Sequence, residues 1–268
     1  MASVKNPRFL ARYGPWALVA GASEGIGASF ARALASHGLN LVLLARRAGP
    51  LETLAAELSR EHGVQTRALP LDLASPGLET AVAEGTRELE VGLVVCNAGV
   101  SLISGFLELE LEDVLRSVDV NVRAPLVLAH LFGRRMAERG RGGLIFMSSV
   151  AGMIGSPYSA TYAGSKAFTL LFGDSLWAEL ESRGVDVVTC AAGPTETPTY
   201  AQVRTAAFPA AMDPDEVVRA ALGALGRRPR VVAGLLNRLT PWLLAPLPRT
   251  TGLRTIAARM RKFRPRRH

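Results

Sequence analysis

The stretch WALVAGASEGIGASFARALASH, residues 16–37, carries three local instructions in succession. Trp16 to Ala20 is a short apolar run of strand length. Gly21, Gly25 and Gly27 follow in the spacing G-x-x-x-G-x-G, with Ser23 and Ile26 among the residues between them. From Ile26 to His37 the apolar residues return at helical spacing. Glycines between a strand and a helix let backbone approach a pyrophosphate. The helix then offers free N–H groups and the positive end of its dipole. A plain strand-to-helix turn of small residues is the alternative. The strand–loop–helix setting is what favours a nucleotide here.

Outward from this unit, strands and helices alternate. Leu39 to Ala45 is a second apolar run and ends in Arg46-Arg47. In dinucleotide-binding sheets the end of this strand, about 20 residues past the glycines, faces the adenosine ribose. An acid there suits the free 2′-hydroxyl of NAD, whereas a cation suits the 2′-phosphate of NADP. NADPH is therefore expected over NADH, through Arg46 first and Arg47 second; a solvated loop cation is the plain alternative for Arg46. Leu51 to His62 has helical spacing and leads to a third strand, Val64 to Leu71, closed by Asp72-Leu73. Asp72 could accept from an adenine amino group or cap the next helix. Ser75, with Pro76 behind it, is the better placed cap, and that helix is expected to reach about Leu89.

Val91 to Cys96 reads as a fourth strand, followed by Asn97-Ala98-Gly99, where small residues let backbone pass close to a cofactor. A helix from about Leu111 carries Asn121 among Val118, Val120 and Val122, so its amide needs backbone or water as a partner. Pro125 should bend or interrupt that helix. A fifth strand, Leu144 to Ser148, and a sixth, Val185 to Ala191, precede a helix from Pro214 to Leu225 capped by Asp213 and a short strand near Arg230 to Ala233. The alternation predicts an α/β fold: one doubly wound, Rossmann-like parallel sheet of about seven strands, with helices on both faces. Residues 1–235 are expected to form this domain, and 236–268 a basic, proline-containing extension.

Composition agrees with a covered sheet: 49% of the 268 residues are hydrophobic. Cys96 and Cys190 each end an apolar run and read as buried thiols, so neither a disulfide nor a metal site is expected. The first residues lack a signal-peptide layout, and no run approaches the ~20 apolar residues of a membrane span, so a cytoplasmic location is expected. Charge is uneven. From Arg227 onward there are twelve Arg or Lys and no Asp or Glu, against nineteen basic and twenty-three acidic residues before it. Pro241, Pro246 and Pro248 break this tail, and Gly252 to Phe263 could form a basic amphipathic helix able to touch an anionic membrane surface. No nucleic-acid recognition module is present, and no such partner is expected.

Chemistry concentrates in SVAGMIGSPYSATYAGSK, residues 149–166. Tyr162 and Lys166 are four apart and share a helix face. Ser149 stands at the end of the fifth strand. A hydroxyl, a phenol and an ammonium brought together suit proton transfer to a carbonyl oxygen. A free phenol titrates near ~10, and a nearby cation should lower that value. Ser148 is the competing hydroxyl, and the spacing favours Ser149.

Over roughly residues 14–235 the chain resembles the short-chain dehydrogenase/reductase family. The resemblance rests on Gly21/Gly25/Gly27, Asp72, Asn97-Ala98-Gly99, Asn121, Ser149, Tyr162 and Lys166, in the family's order and spacing. Residues 13–47 further resemble the branch of 3-ketoacyl-CoA reductases and hydroxysteroid dehydrogenases. The resemblance implies Tyr162 as general acid, Ser149 on the same carbonyl oxygen, Lys166 on the nicotinamide ribose and Asn121 positioning a relay water. It implies Gly193, Pro194 and Thr197 at the nicotinamide, and a homodimer or homotetramer. Ala20 and Ala192-Gly193-Pro194 depart from the family's usual Thr and Pro-Gly. The expected reaction is NADPH-dependent reduction of a ketone. The loops 100–109, 153–160 and 195–212 are largely apolar, which favours a hydrophobic, fatty-acyl or steroid-like substrate. An NAD-linked dehydrogenase or a non-catalytic nucleotide sensor on the same fold are the alternatives.

Overall fold

The run Trp16–Ala20 forms β1, an interior strand of a seven-stranded sheet. In the computed structural model, which describes residues 6–203, 211–235, 237–238 and 249–261, β1 is followed by β2 (Asn40–Ala45), β3 (Thr66–Pro70), β4 (Val91–Cys96), β5 (Gly142–Ser149), β6 (Val185–Ala192) and β7 (Arg230–Val232). All pairings are parallel, in the order β3-β2-β1-β4-β5-β6-β7. The order reverses between β1 and β4. Their carboxyl ends therefore open a crevice where a doubly wound sheet takes its ligand.

The helices are α1 (Pro7–Tyr13), α2 (Gly25–Ser36), α3 (Ala48–His62), α4 (Leu78–Gly85), α5 (Leu111–Val118), α6 (Ala124–Arg139), α7 (Ala151–Ile154), α8 (Ala160–Glu181), α9 (Pro198–Val203), α10 (Pro214–Ala224) and α11 (Arg249–Arg261). One core lies under α1, α2, α3 and α10, around Phe30, Leu34, Leu43 and Val217. The other lies under α4, α6 and α8, around Leu78, Leu128, Phe132 and Phe146. With both faces covered, β1, β4 and β5 are buried at every residue, which is why their middles read as apolar runs. β3, at the sheet edge, is only half-buried and tolerates Pro70 at its end.

Three expectations change. The helix after Asp72 does not start at Ser75: the Leu78 N–H is taken by the Ser75 carbonyl at 3.2 Å, closing a turn first, and Gly77 stands at the cap. That helix ends at Gly85, whose carbonyl accepts from Arg67 at 2.9 Å, well short of Leu89. Pro125 does not break its helix. Between α5 and α6 the backbone widens into a π turn at Asp119–Arg123, and the chain stays helical from Leu111 to Arg139. The wider turn absorbs the missing proline N–H. Helix α1 was not anticipated, although Asn6-Pro7 is a cap followed by a first-turn proline: the Asn6 side chain accepts from Phe9 N at 3.1 Å. Arg12 and Tyr13 both donate to Asp186 and tie this helix to β6.

Candidate active site

β5 ends in two hydroxyls that point opposite ways, as successive strand residues must. The Ser148 hydroxyl donates to the Lys166 carbonyl at 2.7 Å and is buried against α8. Ser149 turns to the other side. Its oxygen accepts from Ala151 N at 3.2 Å, and the side chain lies near enough to the Tyr162 phenol to favour its ionised form. Lys166, one turn beyond Tyr162, is 5% exposed. Its Nζ donates to the Met147 carbonyl at 2.8 Å and stands 5.6 Å from the centroid of the Tyr162 ring.

This geometry does not lower the phenol as the spacing suggested. Burial raises the Tyr162 pKa, and the nearby Ser149 side chain offsets part of that rise. The ammonium sits over the ring and donates to a backbone carbonyl. Burial also pushes Lys166 down to about 8, against a small opposing pull from Cys96. Cys96 itself is pushed up to about 12 by burial, an inert thiol at the end of β4.

Asn121 lies inside the π turn. Its oxygen accepts from Val100 N at 2.8 Å, and its amide donates to the Val100 carbonyl at 2.8 Å and to Ser165 Oγ at 3.1 Å. The loop leaving β4 is thereby clamped to α8. A Cβ added at Gly99 would lie 3.4 Å from Lys166 Nζ and 3.7 Å from Asn121 Oδ1, so those three residues converge on one point.

The glycine loop forms the other wall. Gly21 has φ +80°, and a Cβ there would meet Ala98 Cα at 2.7 Å. A Cβ on Gly27 would fall 1.9 Å from the Gly21 carbonyl oxygen. Asn97 holds that same carbonyl through its amide at 3.1 Å, and Ala98 N donates to Ala20 at 2.9 Å. Thr197, whose hydroxyl accepts from Tyr200 N at 3.0 Å, lays its methyl group 2.7 Å from the point a Gly25 Cβ would occupy. Gly193 and Pro194 follow β6: Asn237 fills the space beside Gly193, and the Pro194 carbonyl accepts from Met212 N at 2.9 Å. Bare backbone at Gly21 and Gly27, the unpartnered first-turn N–H groups of α2 near Ser23 and Ile26, and a cationic far end fit a dinucleotide.

At the adenosine end Arg46 is exposed and in no ion pair among the described residues. Arg47 pairs with Glu24 of the glycine loop. Asp72 has a partner on each oxygen: Ala74 N at 3.0 Å and Arg116 at 2.7 Å. Desolvation pushes this carboxyl up, but those two bonds together hold it below its ordinary range. Leu73 is buried beneath it. Glu24, Arg116, Ser165 and the Met147 carbonyl were missed in the sequence. Only Glu24, inside the loop motif, carried any local signal.

Two of the three apolar loops are tied to each other. Ser104 N donates to the Tyr158 carbonyl at 2.9 Å, and Tyr158 is held at φ +67°, unusual for an aromatic residue. On α11, Leu253 lies against the second loop, its Cδ2 3.5 Å from the position of a Gly155 Cβ. In the third loop Arg204 and Phe208 lie outside the described residues, as do Pro241, Trp242, Leu243, Leu244, Pro246, Pro248 and Phe263 of the tail. Among the described residues, no group of His, Cys, Asp or Glu gathers as a metal site, and no helix is long and apolar enough to cross a membrane.

Comparison with known proteins points the same way. The chain is 32% identical over 233 residues to a 7β-hydroxysteroid dehydrogenase of Clostridium sardiniense, covering 86% of this chain and 89% of that one. It is 34% identical over 242 residues to a very-long-chain 3-oxoacyl-CoA reductase of Neurospora crassa, covering 88% and 72%. A short-chain dehydrogenase from Sphingobium yanoikuyae, solved in complex with NADPH, superposes with a TM-score of 0.77 at 31% identity over 88% of this chain and 97% of that one. Residues 15–207, which hold the glycine loop, the Asn121 clamp and the Ser149–Tyr162–Lys166 cluster, match the short chain dehydrogenase family, and the chain belongs to it.

Proposed function

We propose that this oxidoreductase reduces a hydrophobic ketone to a secondary alcohol with NADPH. The observation that carries the reading is the placement of Tyr162 near Ser149, with Lys166 one turn away, at the carboxyl end of β5 beside the switch point of the sheet. NADPH, when bound, supplies the hydride. Tyr162 donates its proton to the carbonyl oxygen, and Ser149 donates a hydrogen bond to the same oxygen, stabilising the charge that develops there. A phenol raised by burial stays protonated at neutral pH, which suits an acid more than a base. Lys166, titrating at about 8, can return a proton to the phenol and reach a ribose hydroxyl. Asn121 keeps the Val100 loop and Ser165 in register with it.

Arg46 and Arg47 support NADPH over NADH, with Gly21, Ser23, Gly25, Ile26 and Gly27 along the pyrophosphate, Asp72 and Leu73 at the adenine, Asn97, Ala98 and Gly99 along the ribose, and Gly193, Pro194 and Thr197 at the nicotinamide. The apolar loops support a steroid-like or fatty-acyl ketone. Exposed Leu111 and Leu115 on α5, with exposed Leu171 on α8, support pairing with a second copy.

The test is consumption of NADPH and NADH by purified protein on 3-ketoacyl thioesters, steroid ketones and aryl ketones. Turnover with NADPH on at least one hydrophobic ketone is expected. Cofactor binding without turnover on any of them would sink the reading.

A further inference from the structure

We propose that Asn237 is a positioning residue for the reaction: its amide seats residues 193–197 beside Ser149 and so governs how tightly the nicotinamide half of the cofactor is held. The inference rests on the reductase reading above.

Placement comes from strand register. Ala192 is the partner of Ser149 across β5 and β6, and Val150 N donates to the Ala192 carbonyl at 3.0 Å. Gly193 therefore leaves β6 next to the hydroxyl assigned to the substrate carbonyl. Further along, Thr197 lays its methyl group against Gly25 at the start of α2. The strap 193–197 thus joins the reacting end of the crevice to the glycine loop. Arg46 and Asp72 follow β2 and β3, on the opposite side of β1 from β6 and β7. A disturbed strap should leave that adenosine end alone.

Asn237 holds the strap at its first residue. A Cβ on Gly193 would fall 2.3 Å from Asn237 Nδ2, 2.4 Å from its Oδ1 and 2.5 Å from its Cγ. Three nearly equal distances mean that the amide lies flat against the glycine, in the space a side chain would take. The amide plate is fixed by its own bonds. Nδ2 donates to the Ala233 carbonyl just past β7 at 2.9 Å, and to Met212 Sδ at 3.1 Å. Met212 in turn pins the strap: its N–H donates to the Pro194 carbonyl at 2.9 Å, and its carbonyl accepts from Glu196 N at 2.9 Å. One side chain thus ties the end of β7, Met212 and Gly193 together. Small shifts of a group that holds a reactant beside its partner weaken binding and turnover together.

The experiment is calorimetric titration with NADPH and with 2′-phospho-ADP-ribose, which carries the adenosine half without nicotinamide. Asn237→Ala should weaken NADPH about tenfold, as expected for a lost hydrogen-bonded anchor, and leave 2′-phospho-ADP-ribose within about twofold. Asn237→Asp keeps the shape of the plate without its two donors. It should move the same ratio in the same direction, and it decides alone if the alanine variant fails to fold. A double-mutant cycle reads the contact itself. Gly193→Ala should weaken NADPH about tenfold in wild type, where the new methyl meets the amide, and less than about twofold in Asn237→Ala, where the space is free. Equal weakening of both ligands, no weakening of either, or the same cost of Gly193→Ala in both backgrounds would overturn the inference. If the protein prefers NADH, the two ligands become NADH and ADP-ribose. If no ketone turns over, the reductase reading fails separately, and the binding ratios still decide the role of Asn237.

Discussion

Lys166 Nζ donates to the carbonyl oxygen of Met147 at 2.8 Å, so the ammonium of α8 is anchored on β5. The bond fixes the lysine where it overlies the Tyr162 ring, and it also buries a charge.

That burial has a cost in stability with a definite sign. A lysine at about 8 in the fold and 10.5 when unfolded is less protonated in the native state between those values, so stability rises as pH climbs from 8 to 10.5. The shift corresponds to about 3 kcal/mol at neutral pH. Lys166→Met, which also removes the bond to Met147, should be about 1–2 kcal/mol more stable than wild type at pH 7 while losing turnover, and its advantage should vanish by pH 10.5. Urea unfolding at both pH values reads this; a destabilised variant at pH 7 contradicts it.

The two serines of β5 should separate cleanly. Ser149→Ala should lower kcat by about 10²-fold, and Tyr162→Phe by about 10³-fold, with thermal midpoints near wild type and NADPH still bound. Ser148→Ala strips a buried 2.7 Å bond from the Lys166 carbonyl and should cost about 1–2 kcal/mol of stability. Tyr162→Phe with near-normal turnover would refute the mechanism.

Glycine positions differ in kind. Gly27→Ala forces a Cβ to 1.9 Å from the Gly21 carbonyl, so the loop must deform, and fluorescence titration should find NADPH binding weaker by more than about tenfold. Gly223→Ala, with open space around it on α10, should instead stabilise by about 0.5 kcal/mol.

Arg46 and Arg47 should not be equivalent. Arg46→Asp should weaken NADPH by about tenfold or more and favour NADH, because its exposed cation is in no ion pair among the described residues. Glu24→Gln frees Arg47 from its ion pair and should tighten NADPH a few-fold without affecting NADH. Loss of NADPH affinity in Glu24→Gln would mean that the acid positions Arg47 rather than competing for it.

Periodicity and glycine spacing made the sheet legible. β1, β4 and β5 are covered on both faces and so their middles are written as apolar runs, and α10 begins at Asp213 as its cap chemistry says. Boundaries failed where tertiary contacts overrode local signals. A turn at Ser75 consumed a good capping sequence, and β3 shortened because only one neighbour pairs with it. The cluster was legible as residue types at fixed spacings. Its electrostatics were not, because whether Lys166 faces the phenolic oxygen or the Met147 carbonyl depends on how α8 seats on β5. Arg116 on Asp72, 44 residues away, left no trace in local sequence.

The π turn at Asp119–Arg123 makes the site depend on chain length as well as on side chains. It inserts one surplus residue into a helical rod whose near end holds Asp72 through Arg116 and whose middle grips Val100 through Asn121. Deleting any one residue of the turn would restore a plain α-helix and swing everything on one side by about 100° relative to the other. Asn121 would then leave Val100 and Ser165, even with every contacting residue unaltered. A single in-frame codon deletion there is thus an inactivating change that no comparison of site residues would detect.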